Sequence, residues 1–174
     1  MATPLTKMLV LACKNFTCVK VVGRANFTYG PDFKTLLTEL ARRGYGYFII
    51  DLSECVLMDS TFLGILAGFG LKLNQTAAPD KSGIELLNPN ARITDLLENL
   101  GALQLFKVTT GALQLPEDVQ TQTPDSISPT REQIKRTCLE AHQSLMAVNP
   151  DNVVRFKDVT RFLAEDLKNI ENSP

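Results

Sequence analysis

The sequence has few of the residues from which metal centres and catalytic sites are commonly built. It contains one histidine, His142, and four cysteines, none of which forms a CxxC pair. One histidine cannot complete a Cys/His zinc set, and we expect no Ser/His/Asp triad because that histidine lies in a C-terminal appendage. Phosphate loops of the GxxxxGK(S/T) or GxGxxG type are missing as well. We therefore predict a protein that is not an enzyme and needs no metal or cofactor, with His142 on a solvated helix face.

An excess of charge and a long apolar run are also missing. The 18 Lys and Arg residues nearly balance the 19 Asp and Glu residues, whereas a nucleic-acid-binding protein usually has a basic excess on one face. The apolar run 8–13 is too short to span a bilayer, and the apolar segment 62–73 is interrupted by three glycines and a lysine. Residues 1–7 lack the pattern of a signal peptide. These features predict a cytoplasmic protein that does not insert into a membrane.

Strand and helix patterns alternate through the first two thirds of the chain. An antiparallel hairpin is predicted at 8–13 and 16–22, followed by strands at 47–52, 84–87 and 105–109. Helices are predicted to begin at Gly30-Pro31, at Ser60 and at Asn88-Pro89, where a cap or a first-turn proline precedes apolar residues at helical spacing. This order predicts an α/β fold with a mixed sheet and helices packed on it.

The C-terminal third has a different pattern. Residues 116–128 are polar and contain two prolines, which is typical of a linker. Ser128-Pro129 is predicted to begin a helix that ends near Val148, and a second helix follows Asn149-Pro150. Each helix has a single apolar stripe, so we expect a helical hairpin that packs on the sheet domain or on a second copy of the chain in a homodimer. The predicted division is a domain at 1–115, a linker at 116–128 and a hairpin at 129–174.

The predicted helix that begins at Asp59-Ser60-Thr61 offers a hydroxyl at a helix N-terminus. Backbone N–H groups are unpaired there and the helix dipole favours negative charge, so a phosphate on this hydroxyl would be stabilised. Ser60 is the first candidate for phosphorylation and Thr61, on the flank beside Lys72, the second. A cap role remains open for Ser60 and is the favoured role for Asp59.

The same helix has one apolar face and one face of small residues. At 100° per residue, the core side consists of Phe62, Ile65, Leu66, Phe69 and Leu73. The opposite side consists of Ser60, Gly64, Ala67, Gly68, Leu71 and Gln75. Glycine inside a helix costs about 0.5–1 kcal/mol relative to alanine, so a close contact is expected at the glycines. Packing inside the protein and docking of a partner on an uncovered face are both open explanations.

Two segments resemble a known family. The run from Phe48 to Gly64, FIIDLSECVLMDSTFLG, and the run from Leu87 to Ile93, LNPNARI, are similar to the central strand-to-helix segments of STAS domains, the fold of bacterial anti-sigma factor antagonists. The resemblance covers roughly residues 6–115. It implies that Ser60 is the phosphorylated serine and that the partner is an anti-sigma factor, which is also a serine kinase of the histidine-kinase-like ATPase type. It further implies a PP2C-type phosphatase that removes the phosphate. Phe62 departs from the family pattern, which usually has glycine there.

On this interpretation the partner binds the small-residue side of the helix, and Ser60 lies uncovered at its end. The predicted binding residues are Asp59, Ser60, Thr61, Gly64, Ala67, Gly68 and Leu71. The alternative is an adaptor or scaffold subunit without a switch, for example in lipid transport, which docks permanently through the same face. A third hypothesis is that a small ligand, such as a nucleotide, binds at the loops near Ser60.

Overall fold

The computed structural model describes residues 5–76, 83–117 and 119–174, and a mixed β-sheet forms its centre. Strands β1 (Lys7–Ala12) and β2 (Thr17–Ala25) form the predicted antiparallel hairpin, and β3 (Tyr47–Asp51) runs parallel to β2. Two further strands, β5 (Gly83–Leu87) and β6 (Lys107–Thr109), extend the parallel part of the sheet in the order β3, β5, β6. The predicted mixed sheet is confirmed.

Two strands were not expected from the sequence. Strand β4 (Cys55–Met58) pairs in parallel with the end of β2, with a register shift between Gly23 and Arg24. Strand β7 (Gln120–Gln122) lies inside the predicted linker and pairs antiparallel with β1 at the sheet edge. Its three residues are exposed, so it has no apolar alternation by which the sequence could reveal it. This segment is a strand because it pairs with the edge of β1.

Five helices complete the described fold: α1 (Gly30–Arg42), α2 (Ser60–Thr76), α3 (Ala91–Asn99), α4 (Arg131–Val148) and α5 (Asp151–Glu171). The predicted beginnings of α1 and α2 are confirmed. The apolar side of α2 packs into the main core, as expected; Phe62 and Leu66 are fully buried. The core therefore takes up the side of α2 that faces away from its small residues.

The caps of α3 and α4 differ from the sequence prediction. The side chain of Asn90, rather than Asn88, accepts the Ile93 N–H at the start of α3. Asn88 is in the left-handed conformation, with φ 56°, and its amide is engaged with the backbone of Gly111. At α4, Thr130 forms a capping box with Gln133, because Ser128 is also left-handed, with φ 49°. Both true caps lie two residues beyond the predicted ones.

Helices α4 and α5 form the predicted hairpin, and α4 packs along α2. The two hairpin helices are antiparallel, since Lys135 pairs with Asp166 and Arg136 pairs with Glu171. Of the two surfaces expected to support the hairpin, this chain's own sheet domain is the one observed. Among the described residues, no helix has the length and apolar composition to cross a bilayer.

Candidate functional site

Asp59 is the N-cap of α2 and also anchors the preceding turn. Its Oδ1 accepts the Phe62 N–H at 2.9 Å, and its Oδ2 accepts the Phe27 N–H at 2.7 Å. Burial raises the pKa of the Asp59 carboxyl, and these two N–H groups oppose that rise in part. The structural role favoured for Asp59 is thus what the contacts show. Because Asp59 supplies the cap, the Ser60 hydroxyl is available for another interaction.

Ser60 uses its hydroxyl to contact His142, which lies 82 positions away in the sequence. Ser60 Oγ is 2.9 Å from His142 Nε2, and His142 Nδ1 is 2.7 Å from the carbonyl oxygen of Cys138. A carbonyl can only accept, so Nδ1 carries the proton. In the neutral ring Nε2 is therefore the acceptor, and Ser60 donates to it. The structure brings together a serine and a histidine that the sequence analysis had treated as unrelated.

The expectation that His142 is solvated is wrong. Only 6% of His142 is exposed, and the edge of its ring contacts Phe156 of α5, with the ring centroids 4.8 Å apart. The buried face of α4 is wider than its apolar stripe, because α2 covers one side of the helix and α5 covers the other. The His142 ring lies in this wider buried face, and Ser60 and Cys138 satisfy its two nitrogen atoms.

Thr61, the second phosphorylation candidate, also faces α4. It is 4% exposed, and its Oγ1 donates to Cys138 Sγ at 3.5 Å. The predicted position on the flank of α2 is therefore corrected to a position inside the α2–α4 contact. Ser60 is half-buried and thus more open than Thr61.

The small-residue side of α2 is covered by α4. A Cβ placed on Gly64 would lie 2.3 Å from the Ala141 carbonyl oxygen, and a Cβ on Gly68 would lie 2.6 Å from Ser144 Oγ. The two helices therefore meet at backbone distance, and packing within the chain accounts for both glycines. Ala67 is fully buried in the same region. The expectation of an uncovered Ser60 beside an open face is wrong in this arrangement, because the hairpin occupies that face.

A groove of about 830 Å³ opens further along α2, between α1 and α4. Phe69 and Leu71 are among its apolar lining residues, and Lys34, Arg42 and Lys72 are among its charged ones. Neither Ser60 nor His142 lines it. Among the described residues, no cluster of three or more His, Cys, Asp or Glu side chains is arranged to hold a metal ion.

Cys138 is the most exposed of the four cysteines. Cys13, Cys18 and Cys55 are buried, and burial raises the pKa of Cys18 to about 12 and that of Cys55 to about 11. Burial also raises the pKa of Cys138, which lies on α4 and accepts a hydrogen bond from Thr61 of α2. The reactivity of the Cys138 thiol consequently reports whether α4 is seated on α2.

Comparisons with known proteins identify the fold. No protein-family model matches this sequence, and no curated protein sequence matches it significantly. Among solved structures, the anti-sigma factor antagonist SpoIIAA in its unphosphorylated form is similar, with a TM-score of 0.51 and 14% identity over 58% of this chain and 86% of that chain. An anti-sigma factor antagonist from Mycobacterium paratuberculosis has a TM-score of 0.52 and 16% identity over 63% of this chain and 90% of that chain. The protein therefore has a STAS-like fold, the fold of these anti-sigma factor antagonists.

Proposed function

We propose that this chain is a cytoplasmic, non-enzymatic regulatory protein that binds a protein partner at the start of α2 and is switched by phosphorylation of Ser60. One observation carries the proposal. Ser60 is the first residue of α2 in a fold shared with anti-sigma factor antagonists, and the cap role that would otherwise occupy its hydroxyl is filled by Asp59. The proposed partner is an anti-sigma factor or serine kinase of the histidine-kinase-like ATPase type, and a PP2C-type phosphatase would reverse the modification.

The first turn of α2 suits a phosphate group. A phosphoserine carries about −1.5 to −2 charges at neutral pH, and a negative charge at a helix N-terminus gains about 0.3–1 kcal/mol. The same charge in a tight interface without a counterion costs several kcal/mol. Phosphorylation of Ser60 is therefore expected to oppose partner binding much more than it alters the stability of the sheet domain.

The position of His142 sets a condition on this chemistry. Ser60 Oγ must leave His142 Nε2 before it can attack a phosphoryl donor, and α4 must withdraw to admit a kinase. A phosphoryl group on Ser60 would also remove the hydroxyl proton that is donated to His142, so this contact between α2 and α4 would be lost. The phosphorylated form of the protein is thus expected to have a displaced hairpin.

Mapping of the modified residue tests this function. The purified full-length protein is incubated with ATP and its candidate serine kinase, and the site is located by mass spectrometry. We expect phosphate on Ser60 and none after S60A, with Thr61 unmodified in both proteins. Phosphate elsewhere with Ser60 untouched would contradict the proposal.

The adaptor alternative is favoured by one observation, the engagement of the Ser60 hydroxyl by His142 within the chain. A module that docks permanently has no need of an accessible serine. In that case S60A and S60D would have the same effect in cells. Neighbouring genes distinguish the two functions, because a kinase and a PP2C-type phosphatase favour the switch and transporter genes favour the adaptor.

A further inference from the structure

The contact between α2 and α4 shows what kind of surface α2 presents. Gly64 lies against Ala141, and Gly68 lies against Ser144. Helices can meet at backbone distance only if both have small residues where they cross, and here each helix supplies two. The side of α2 is therefore shaped for a helix with small residues spaced three positions apart.

Polar contacts at the start of α2 fix the register of that helix. Thr61 donates to Cys138 and Gly68 lies against Ser144, so the two helices run in the same direction, and Ser60 contacts His142 beside this line of contacts. A helix on this surface thus needs a hydrogen-bond acceptor opposite Ser60 in addition to its small residues. Shape and polar chemistry together make the surface selective.

The hairpin reaches this surface through an exposed connection. None of the described residues between 110 and 130 is buried, and β7 contributes only three exposed residues to the sheet edge. Towards α1, α4 makes an ion pair between Lys34 and Glu140 whose side chains are 42% and 47% exposed, and such pairs contribute little. The connection itself is held to α1 by Ser126 Oγ and the Ile127 N–H, which donate to Asp32 at 2.7 and 2.8 Å. It keeps α4 close to α2 as a tether does, and the seated α4 is an intramolecular occupant of the surface.

We propose that the partner binds by placing a helix of this chemistry, with small residues three positions apart and an acceptor opposite Ser60, on α2 in place of α4. The hairpin is then a competitor built into the chain, which closes Ser60 and the partner surface together. This inference rests on the proposed function in placing the partner on α2. Its physical content, one surface for which α4 and a second helix compete, is testable without the partner.

A wedge on α4 leaves the α2 surface unchanged. In A141L the larger side chain has no room against Gly64, so α4 is displaced while every residue of α2 is native. A147L makes the same change at an exposed position of the same helix and is the matched control. The probe is a fluorescein-labelled synthetic peptide of residues 131–148, which is α4 itself, added to each full-length protein under reducing conditions. A second peptide carries A141L.

The tether gives the seated α4 an effective concentration of about 1 mM, so a peptide at micromolar concentration cannot displace it. By fluorescence anisotropy, we expect the native peptide to bind A141L at least ~100-fold more tightly than it binds the wild type or A147L. The A141L peptide should not bind any of the three proteins. Modification of Cys138 by a thiol reagent, followed by peptide mapping, should be fast in A141L and slow in the other two.

Several outcomes would overturn the inference. Equal affinity of the peptide for wild type and A141L would show that α4 does not compete. No binding to an A141L protein with a reactive Cys138 would show that the surface does not accept a helix from outside the chain. A protected Cys138 in A141L would refute the steric contact with Gly64.

If A141L loses its circular dichroism, the milder wedge S144L, opposite Gly68, is tested in the same way. Loss of the whole fold in both variants would also refute the inference, because it requires the hairpin to leave an intact sheet. The two proposals fail separately: peptide binding to A141L without phosphate on Ser60 of that variant removes the switch and retains the competing surface. Phosphate on Ser60 without peptide binding does the reverse.

Discussion

At the scale of single residues, Asp59 and Ser60 divide two tasks between them. The Asp59 carboxylate satisfies two backbone N–H groups, those of Phe62 and Phe27, so α2 and the turn before it are held together without the serine. Ser60 is left to contact His142. A change in the chemical state of Ser60 therefore acts on the docking of α4 and leaves the start of α2 intact.

The stability contributed by Asp59 should depend on pH. Burial raises its pKa in the folded protein above the unfolded value of about 3.9. The contribution is therefore fully present below about pH 3.9 and is lost as the pH rises through the folded pKa, because the folded state binds the proton more tightly. The free energy of unfolding of the wild type minus that of D59N, measured by urea denaturation from pH 3 to pH 7, should fall as the pH rises. A difference that rises over this range would refute the assignment.

At the scale of elements, the glycines of α2 have two different reasons. Gly64 and Gly68 lie where α4 crosses, and a Cβ on either one would approach α4 closer than 3.0 Å. Gly70 faces the sheet, where a Cβ would lie 3.5 Å from Ile84 Cδ1, an ordinary contact. In α2, two glycines are therefore required by the close packing of α4, whereas the third has room for a Cβ atom.

Alanine substitutions should separate these two classes. G64A is expected to lower the free energy of unfolding by about 1–3 kcal/mol, since the new methyl group meets rigid backbone. G70A should be neutral or stabilising by up to about 1 kcal/mol, because alanine favours a helix. Urea denaturation of both variants measures the difference. Equal destabilisation by the two substitutions would show that α4 does not set the requirement.

At the scale of the whole molecule, Asn152 joins the hairpin to the sheet domain. It is 1% exposed, and its Nδ2 donates to the carbonyl oxygens of Leu100, after α3, and of Leu145, in α4. A single side chain therefore ties the beginning of α5 to both parts of the protein. This contact holds the hairpin at the turn between α4 and α5.

Removal of this side chain should loosen the hairpin. N152A loses two buried hydrogen bonds and leaves two carbonyl oxygens without that donor, which is expected to cost about 2–3 kcal/mol. Amide hydrogen exchange in α4 and modification of Cys138 should both become faster than in the wild type. N169A, at an exposed position of the same helix, is the control and should change neither rate. Unchanged exchange in N152A would show that other contacts hold the hairpin.

Local patterns in the sequence were enough for most elements. The Gly30-Pro31 start of α1, the apolar period of α2 and the two C-terminal helices all follow from propensity and periodicity, which act within a few residues. The true caps at Asn90 and Thr130 were missed, because Asn88 and Ser128 have suitable side chains but left-handed backbones. Strand β7 was missed because its pairing comes from β1, more than a hundred positions away.

Sequence alone was enough to place a hydroxyl at the start of α2 and small residues along one side of that helix. Both depend on the identity and spacing of neighbouring residues. What meets them depends on tertiary packing, which brings His142 to Ser60 and Ala141 to Gly64. The reason is physical: a helix records its own faces in its periodicity, whereas the element that covers a face depends on how the whole chain packs.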